Sequence, residues 1–415
     1  MPLRIIHTAD WHLGQTFYEY DRSYEHSCFH DWLIRTLREK DADVLLISGD
    51  IFDVSNPSAA SLRMFYNFLI DATRVQPHLQ VVCIAGNHDS AARLESPGAL
   101  LEAFNVKVIG SAELNPDKTI RYEKLAVPLK NRMGDTEAWC LAVPFLRPGD
   151  YPGDEGYSKG VESVYLRGVE YINSLLNDNQ ALIALGHLHA LNASISEDDQ
   201  SERRIMGGLE FVPATAFPPE IAYTALGHIH RPQEVAGRPE VRYSGSPLPM
   251  SFSELTYHHQ LIFVETEGKT IRPPEMISIP VTAGLLSVPG KPKILEETIP
   301  ELLELPEADG NEKVYPYLQV RVLLTGPEPS LRHQVETAIS GKAVRLARIE
   351  VSYPAAEKKE NLQVAGPEDI KKIQPLEIFR RKYITKYQTD VPGDLVELFT
   401  KVTEELERNE TVSEG

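Results

Sequence analysis

The stretch Asp43–Asp53, DVLLISGDIFD, decides the fold class. Val44, Leu45, Leu46 and Ile47 form an unbroken aliphatic run, as expected of a strand covered on both faces. Gly49 and Asp50 mark where that strand gives way to a loop. The same construction recurs as far as Thr266, in "LRIIHTA", "LQVVCIAGNHD", "WCLAVPFL", "ALIALGHLH", "IAYTALGHIH" and "QLIFVET". Between the first runs, Tyr24, Cys28, Phe29, Trp32, Leu33 and Leu37 recur at helical spacing, as do Leu62, Phe65, Tyr66, Leu69 and Thr73. Alternating strands and helices predict an α/β layered fold, whose ligand sites lie outside the carboxyl ends of the strands.

The chain has 415 residues, beyond the roughly 250 to 300 at which one core stops growing, so two or three domains are expected. No apolar run approaches the roughly 18 residues that span a bilayer. Arg4 and His7 break the N-terminal run, against a signal peptide, so a cytoplasmic protein with no membrane association is expected. Cys28, Cys83 and Cys140 lack CxxC spacing and read as buried free thiols of a reducing compartment. A net charge of −18 argues against a wholly basic, nonspecific nucleic-acid binder and leaves room for a local basic patch.

Residues 1–275 read as the first domain. The Pro- and Gly-rich stretch "RPPEMISIPVTAGLLSVPGKPK" marks a boundary, and residues 280–355 read as a small strand–helix–strand domain carrying "YLQVRVLLTG", "SLRHQVETAI" and "AVRLARIEVSY". "NASISEDDQSERR" (Asn192–Arg204) reads as a surface loop. Within residues 371–410, Leu376, Ile378, Phe379 and Tyr383, and then Leu395, Leu398, Phe399, Val402 and Leu406, outline two amphipathic helices. These are too short to hold a core, and either pack on the body or dock into a partner's groove.

Metal-capable side chains crowd the strand ends: Asp10 and His12, Asp50, Asn87 with His88 and Asp89, His187, and His228 with His230. Of 13 histidines, His12, His88, His187, His189, His228 and His230 all follow apolar runs, a placement that surface histidines would not select. Residues two apart on an extended segment point the same way, so Asp10 with His12, and His228 with His230, are each expected to grip one site. Gly49, Gly86, Gly186 and Gly227 precede four of the clusters and are expected to let the chain turn sharply. Imidazole, carboxylate and amide donors suit manganese, iron or zinc better than calcium or magnesium alone. Seven donors exceed one tetrahedral ion, so two ions bridged by Asp50 are the economical count, an arrangement suited to phosphoester hydrolysis.

The ordered series "DWH", "GD", "GNHD", "GH", "GHIH" resembles the calcineurin-like metallophosphoesterase superfamily over roughly residues 3–265. "HTADWHLG", "GDIFD", "GNHDS", "ALGHIHRP" and "YSGSPLPMSF" resemble, more closely, the SbcD family of nuclease subunits. The resemblance implies a four-layer α-β-β-α sandwich with a small α/β capping domain and a C-terminal helical segment that binds the partner. It implies one manganese on Asp10, His12, Asp50 and His230 and a second on Asp50, Asn87, His187 and His228. His88 is then the catalytic residue at the scissile phosphate, Asp53 and Asp89 support the ligands or cap loops, and His189 has no ligand position. The implied activity is double-strand exonuclease and single-strand or hairpin endonuclease on DNA, in repair and recombination. The implied partner is an SbcC-type coiled-coil ATPase in a heterotetramer built on a homodimer of this chain.

Other readings compete with this one. A small-molecule phosphodiesterase shares the core motifs and usually lacks the second domain and tail helices. A noncatalytic scaffold should lack a ligand, and none is missing here. A protein phosphatase requires an Arg-Gly after the second aspartate and "GNHE", where this chain has "GDIFDVS" and "GNHD".

Overall fold

A computed structural model describes residues 2–151, 156–190, 193 and 211–354, with scattered residues between 376 and 399. Most of Asn192–Arg204 and most of the two expected tail helices lie outside the described residues. Among those described in the tail, Phe379 stacks on Phe399 with ring centroids 4.3 Å apart.

Two sheets hold seven and six strands among the described residues, and ten of these form their framework. β1 (Arg4–Thr8), β2 (Val44–Ser48), β3 (Gln80–Ile84) and β4 (Val106–Ile109) run parallel in sequence order. β5 (Ala126–Lys130), β6 (Thr136–Ala142), β7 (Ala181–His187), β8 (Tyr223–Gly227) and β9 (Arg238–Tyr243) form the second sheet, parallel from β6 to β9. β10 (Gln260–Glu267) returns antiparallel to β1, and two short strands, Thr270–Ile271 and Glu275–Ser278, pair with it in turn.

The pleat explains the layering. Ile5, Val44, Leu46, Val82 and Ile84 point to one side and share a core with Leu141, Ile183, Leu185 and Ala225 of the second sheet. Their neighbours Ile6, Leu45, Ile47, Val81 and Cys83 point the other way, against α1 (Ser23–Glu39) and α2 (Ala59–Val75). Both faces of the first sheet are therefore covered, which is why its strands read as continuous apolar runs. Truncating one of these buried leucines to alanine should cost about 2–5 kcal/mol.

The Ser58 side chain caps α2 by accepting from the Ser61 N–H at 3.1 Å. The buried face of α2 is Phe65, Phe68, Leu69 and Ala72, displaced from the expected stripe: Tyr66 is half-buried, and Phe68 meets Trp11 edge-on with centroids 5.0 Å apart. α3 (Tyr157–Asn173) covers the second sheet with Val161, Val164, Tyr165 and Ile172. A Cβ at Gly168 would lie 2.7 Å from the Leu141 side chain, so glycine there lets helix and sheet approach closely. Helix, sheet, sheet and helix make the four layers of an α/β sandwich.

The chain divides into two compact units, Met1–Leu286 with Gly310–Tyr317, and Ser287–Asp309 with Leu318–Gly415. The Pro-rich stretch is itself largely strand: Glu275–Ser278 pairs with β10, and β11 (Leu285–Lys293) begins soon after. In the second unit a three-stranded sheet, ordered β11, β12 (Tyr317–Leu323) and β13 (Arg345–Ser352), accompanies α4 (Leu295–Leu303) and α5 (Leu331–Ala338). Leu302, Leu318, Val320, Val322 and Val335 are its fully buried core.

Cys83 and Cys140 are buried and Cys28 is half-buried, all three with free thiols. No helix among the described residues is long and apolar enough to cross a membrane.

Candidate metal centre

The carboxyl ends of β1, β2, β3, β7 and β8 converge, and backbone hydrogen bonds hold the loops that leave them. Asp10 N–H donates to the Gly49 carbonyl and His12 N–H to the Asp50 carbonyl, each at 3.0 Å. Each aspartate uses one oxygen on a neighbouring loop: Asp10 Oδ1 accepts from the His228 N–H and Asp50 Oδ1 from the His88 N–H, both at 2.9 Å. The second oxygens face the interior of the cluster. Asp50 Oδ2 stands 3.3 Å from His187 Nε2 and 3.7 Å from His12 Nε2, between two groups of donors. Asp10 Oδ2 and His12 Nε2 are buried without a hydrogen-bond partner.

The structure gathers the seven expected ligand residues and His88, while Asp89 turns to backbone N–H groups beside them. Asp10, His12 and His230 form one group, Asp50, His187 and His228 a second, and His12, Asp50 and His88 a third, with donor atoms within 4.8 Å in each. Asn87 joins the second group, its Oδ1 lying 2.9 Å from both His187 Nε2 and His228 Nδ1. Unpartnered buried oxygen and nitrogen atoms among carboxylate, imidazole and amide donors fit divalent metal ions, which need lone pairs left free by the protein. Bound there, such ions would draw on Asp50 from both groups.

Two local expectations are corrected. His228 and His230 do not share a side of an extended segment: β8 ends at Gly227, His228 takes φ +99°, and the two rings enter different groups. Asp10, His12 and Asp50 likewise adopt left-handed backbone with φ of 56°, 48° and 47°. Conformations of this kind cost about 1–3 kcal/mol each and cluster at functional sites. The glycines also serve differently than expected. Only Gly49 of the four has positive φ, at +88°. Gly86 and Gly227 are needed for clearance: a Cβ would fall 2.1 Å from Asp50 Oδ1 at Gly86, and 2.0 Å from the Ser48 carbonyl at Gly227.

Electrostatics follow from burying this much charge in one place. Burial pushes the Asp10 carboxyl up. Burial pushes Asp50 up too, but His187, His12 and His88 outweigh it and hold Asp50 well below the carboxylate range. Burial would lower His187, yet Asp50, Asp10 and the Ser48 carbonyl raise it to about 9. Burial, reinforced by His187, drives His228 far down. Asp50 and His187 are thus the oppositely charged partners within the buried cluster.

The surrounding residues set orientation. His187 Nδ1–H donates to the Ser48 carbonyl at 2.8 Å, leaving Nε2 toward Asn87 and Asp50. His88 Nδ1–H donates to the Asp53 carbonyl at 2.7 Å, which leaves its Nε2 lone pair outward, and burial lowers the ring's pKa. Asp89 accepts the backbone N–H groups of Ile51, Phe52 and Gly86 and so ties the second and third loops together. Burial and the nearby Asp50 raise its pKa to about 6. His189 is buried with Nε2 unpartnered and its ring edge-on to Phe211 at 4.6 Å.

Sequence reading missed Glu254. It is 1% exposed, and its Oε1, without a hydrogen-bond partner, lies 3.5 Å from His230 Nδ1, close enough to favour one orientation of that ring. Its only signal was an acidic residue inside the otherwise apolar and small "YSGSPLPMSFSE".

Residues 3–232 match the calcineurin-like phosphoesterase family, and residues 284–387 match the family described as type 5 capsule protein repressor C-terminal domain. The chain is 35% identical over 394 residues to the SbcD subunit of the SbcCD nuclease of Rhodobacter capsulatus, covering 91% of this chain and 93% of that one. It is 33% identical over 299 residues to the Escherichia coli K12 protein of the same name, covering 69% and 71%. Against the Bacillus subtilis protein of that name the figures are 31% over 275 residues, covering 64% and 66%. The chain belongs to the SbcD family of calcineurin-like phosphoesterases.

Proposed function

We propose that this chain is the nuclease component of an SbcCD-type complex, a manganese-dependent phosphodiesterase that cuts DNA as a double-strand exonuclease and a single-strand or hairpin endonuclease. The observation that carries the reading is the convergence of Asp10, His12, Asp50, Asn87, His187, His228 and His230 on one buried cluster with His88 at its side.

Asp10, His12, Asp50 and His230 would hold one ion, and Asp50, Asn87, His187 and His228 would hold the other. Two divalent ions so held supply Lewis-acid polarisation of the phosphoryl group and a water acidic enough to serve as nucleophile at neutral pH. The protein's part is to keep the seven donors in place through the loop-to-loop hydrogen bonds and to present His88. With its Nδ1–H fixed on the Asp53 carbonyl, His88 is placed to contact the scissile phosphate through Nε2 and, when protonated there, to stabilise the transition state or give the proton to the departing sugar oxygen.

Residues 280–355 are the cap that selects DNA, and the helices within 371–410 bind an SbcC-type ATPase, which supplies positive surface that a chain of net charge −18 lacks. An apolar groove lined by Tyr66, Leu69, Ile70, Leu100 and Phe104 supports a homodimer at the centre of a heterotetramer: Leu100 is 66% and Phe104 47% exposed. A small-molecule phosphodiesterase would not need the second compact unit.

The test is cleavage of supercoiled, linear duplex and hairpin DNA with manganese, magnesium or chelator, with and without the ATPase. Asp50→Ala and His88→Ala should each lose at least about 10²- to 10³-fold in rate. Wild-type rates in either variant, or in chelator, would refute the reading. Removing residues 371–415 should abolish co-purification with the ATPase and leave manganese-dependent cleavage of short single strands.

A further inference from the structure

Two arginines stand at opposite ends of the donor cluster. Arg147 lies beside the Asn87 end: its Nη2 is 3.4 Å from the Asn87 carbonyl, and its guanidinium lies over the Phe145 ring at 5.5 Å. Phe145 in turn sits 6.1 Å from the His187 ring and 6.3 Å from the His228 ring, and its N–H donates to the Ala85 carbonyl at the end of β3. Arg231 lies at the other end. It follows His230 directly, and its guanidinium rests over the Tyr257 ring at 5.8 Å.

Both side chains are exposed, and among the described residues neither makes an ion pair with a carboxylate. Asp150, the nearest acid in sequence to Arg147, accepts from that residue's backbone N–H instead. By contrast Arg4, Arg22, Arg121, Arg132, Arg238 and Arg321 are each matched to an acid. Unmatched arginines such as Arg35, Arg63 and Arg93 occur elsewhere among the described residues, and what marks Arg147 and Arg231 is that each also lies against an aromatic ring next to a residue of the donor cluster. An aromatic ring under each guanidinium holds it in place without neutralising it.

We infer that Arg147 and Arg231 bind the phosphates that flank the scissile one, one on each side, and so set the path of a nucleic-acid strand across the cluster. The inference rests on the phosphodiesterase reading above and adds the substrate class at residue level: a polyanionic strand with several consecutive phosphodiesters, not an isolated diester. A planar guanidinium can donate two hydrogen bonds to one phosphate, which an ammonium does less well. Arg147 reaches the Asn87 backbone carbonyl and not its side-chain oxygen, and Arg231 lies over Tyr257, so both act on binding and register, not on the bond being cut.

The test compares the full-length wild type with Arg147→Ala, Arg231→Ala and the double variant on two substrates. One is a single-stranded oligonucleotide. The other is bis(p-nitrophenyl) phosphate, which has one diester and no flanking phosphates. Each single variant should raise KM for the oligonucleotide about fivefold to tenfold with kcat little changed, and leave the small diester unaffected. Binding of a fluorescent oligonucleotide in chelator, followed by anisotropy, should show log Kd against log salt less steep by about 0.7 per arginine removed. Arg147→Lys and Arg231→Lys should recover that slope. Unchanged KM and salt slope overturn the inference, as does an equal loss on both substrates, which would place the arginines in the integrity of the site. Wild-type protein that cleaves neither substrate overturns the phosphodiesterase reading itself.

Discussion

Ala184–His189, ALGHLH, and Ala225–His230, ALGHIH, are nearly the same hexapeptide on adjacent parallel strands, yet they leave the sheet differently. β7 continues through His187, which stays in strand geometry with Nδ1 on the Ser48 carbonyl. β8 stops at Gly227, and His228 turns into left-handed backbone, its N–H caught by Asp10. The histidines two residues on therefore diverge. His230 faces Glu254 and joins Asp10 and His12, whereas His189 lies against Phe211 with an unpartnered Nε2. Local sequence proposes a strand end, and the neighbouring loops decide which donors reach the cluster.

Substituting the two His-x-His pairs is the harshest way to break this contrast. His187→Ala should lose about 10²- to 10³-fold in DNA cleavage, while His189→Ala stays within about threefold of wild type. A comparable loss in both would show that the twin segments contribute equally and that His189 belongs to the machinery.

Glu254 sharpens the contrast at His230, since among the described residues no such carboxylate stands behind His189. Glu254→Gln should weaken metal binding at the His230 end about 10- to 100-fold, read by isothermal titration of metal-free protein. Phe211→Leu, the matching change behind His189, should leave the titration unaltered. Identical isotherms for Glu254→Gln and wild type would remove Glu254 from the role of orienting His230.

A smaller effect separates the two glycines. A Cβ at Gly227 would meet the backbone oxygen of Ser48, whereas at Gly186 it would meet the Tyr165 hydroxyl, 2.2 Å away at the end of a side chain. Gly227→Ala should destabilise by about 1–3 kcal/mol or more, and Gly186→Ala by an amount that Tyr165→Phe partly restores. Urea midpoints that fall equally, with no rescue, would argue that both glycines act through backbone freedom.

The mildest contrast is between histidines that gather at the site and those buried under it. Burial lowers His7 and His30 to about 3 from the ordinary 6.5. The unfolded chain takes up these protons below about pH 6.5 and the folded chain refuses them until about pH 3. Their contribution to stability is complete above pH 6.5 and is lost as pH falls through that window, by at most about 1.4 kcal/mol per pH unit for each ring. Urea midpoints between pH 7.5 and 5 should therefore decline, and His30→Leu should flatten the decline. A variant with the wild-type slope would assign the acid sensitivity elsewhere.

Much of the fold was legible because the central strands are covered on both faces: an unbroken run such as Val44–Ile47 has few alternatives once helical stripes flank it. α3 was not anticipated. Its buried face includes Gly160 and Gly168, where close packing against Tyr151 and Leu141 replaces the apolar bulk that periodicity detects. β4 and β5, at the far edges of their sheets, are short and carry the intermediate or exposed Lys107 and Lys130, which dilutes the strand signal.

By itself the sequence determined which residues stand at strand ends, because hydrophobic periodicity is a local property and donors that interrupt it are conspicuous. Only the tertiary structure decided how those donors are grouped. The left-handed backbone at Asp10, His12, Asp50 and His228, the clearance at Gly86 and Gly227, and the approach of Glu254 to His230 all arise from contacts between segments far apart in the chain. Propensity cannot encode such contacts, because the strain of each turn is balanced by hydrogen bonds from a loop that the local sequence does not contain.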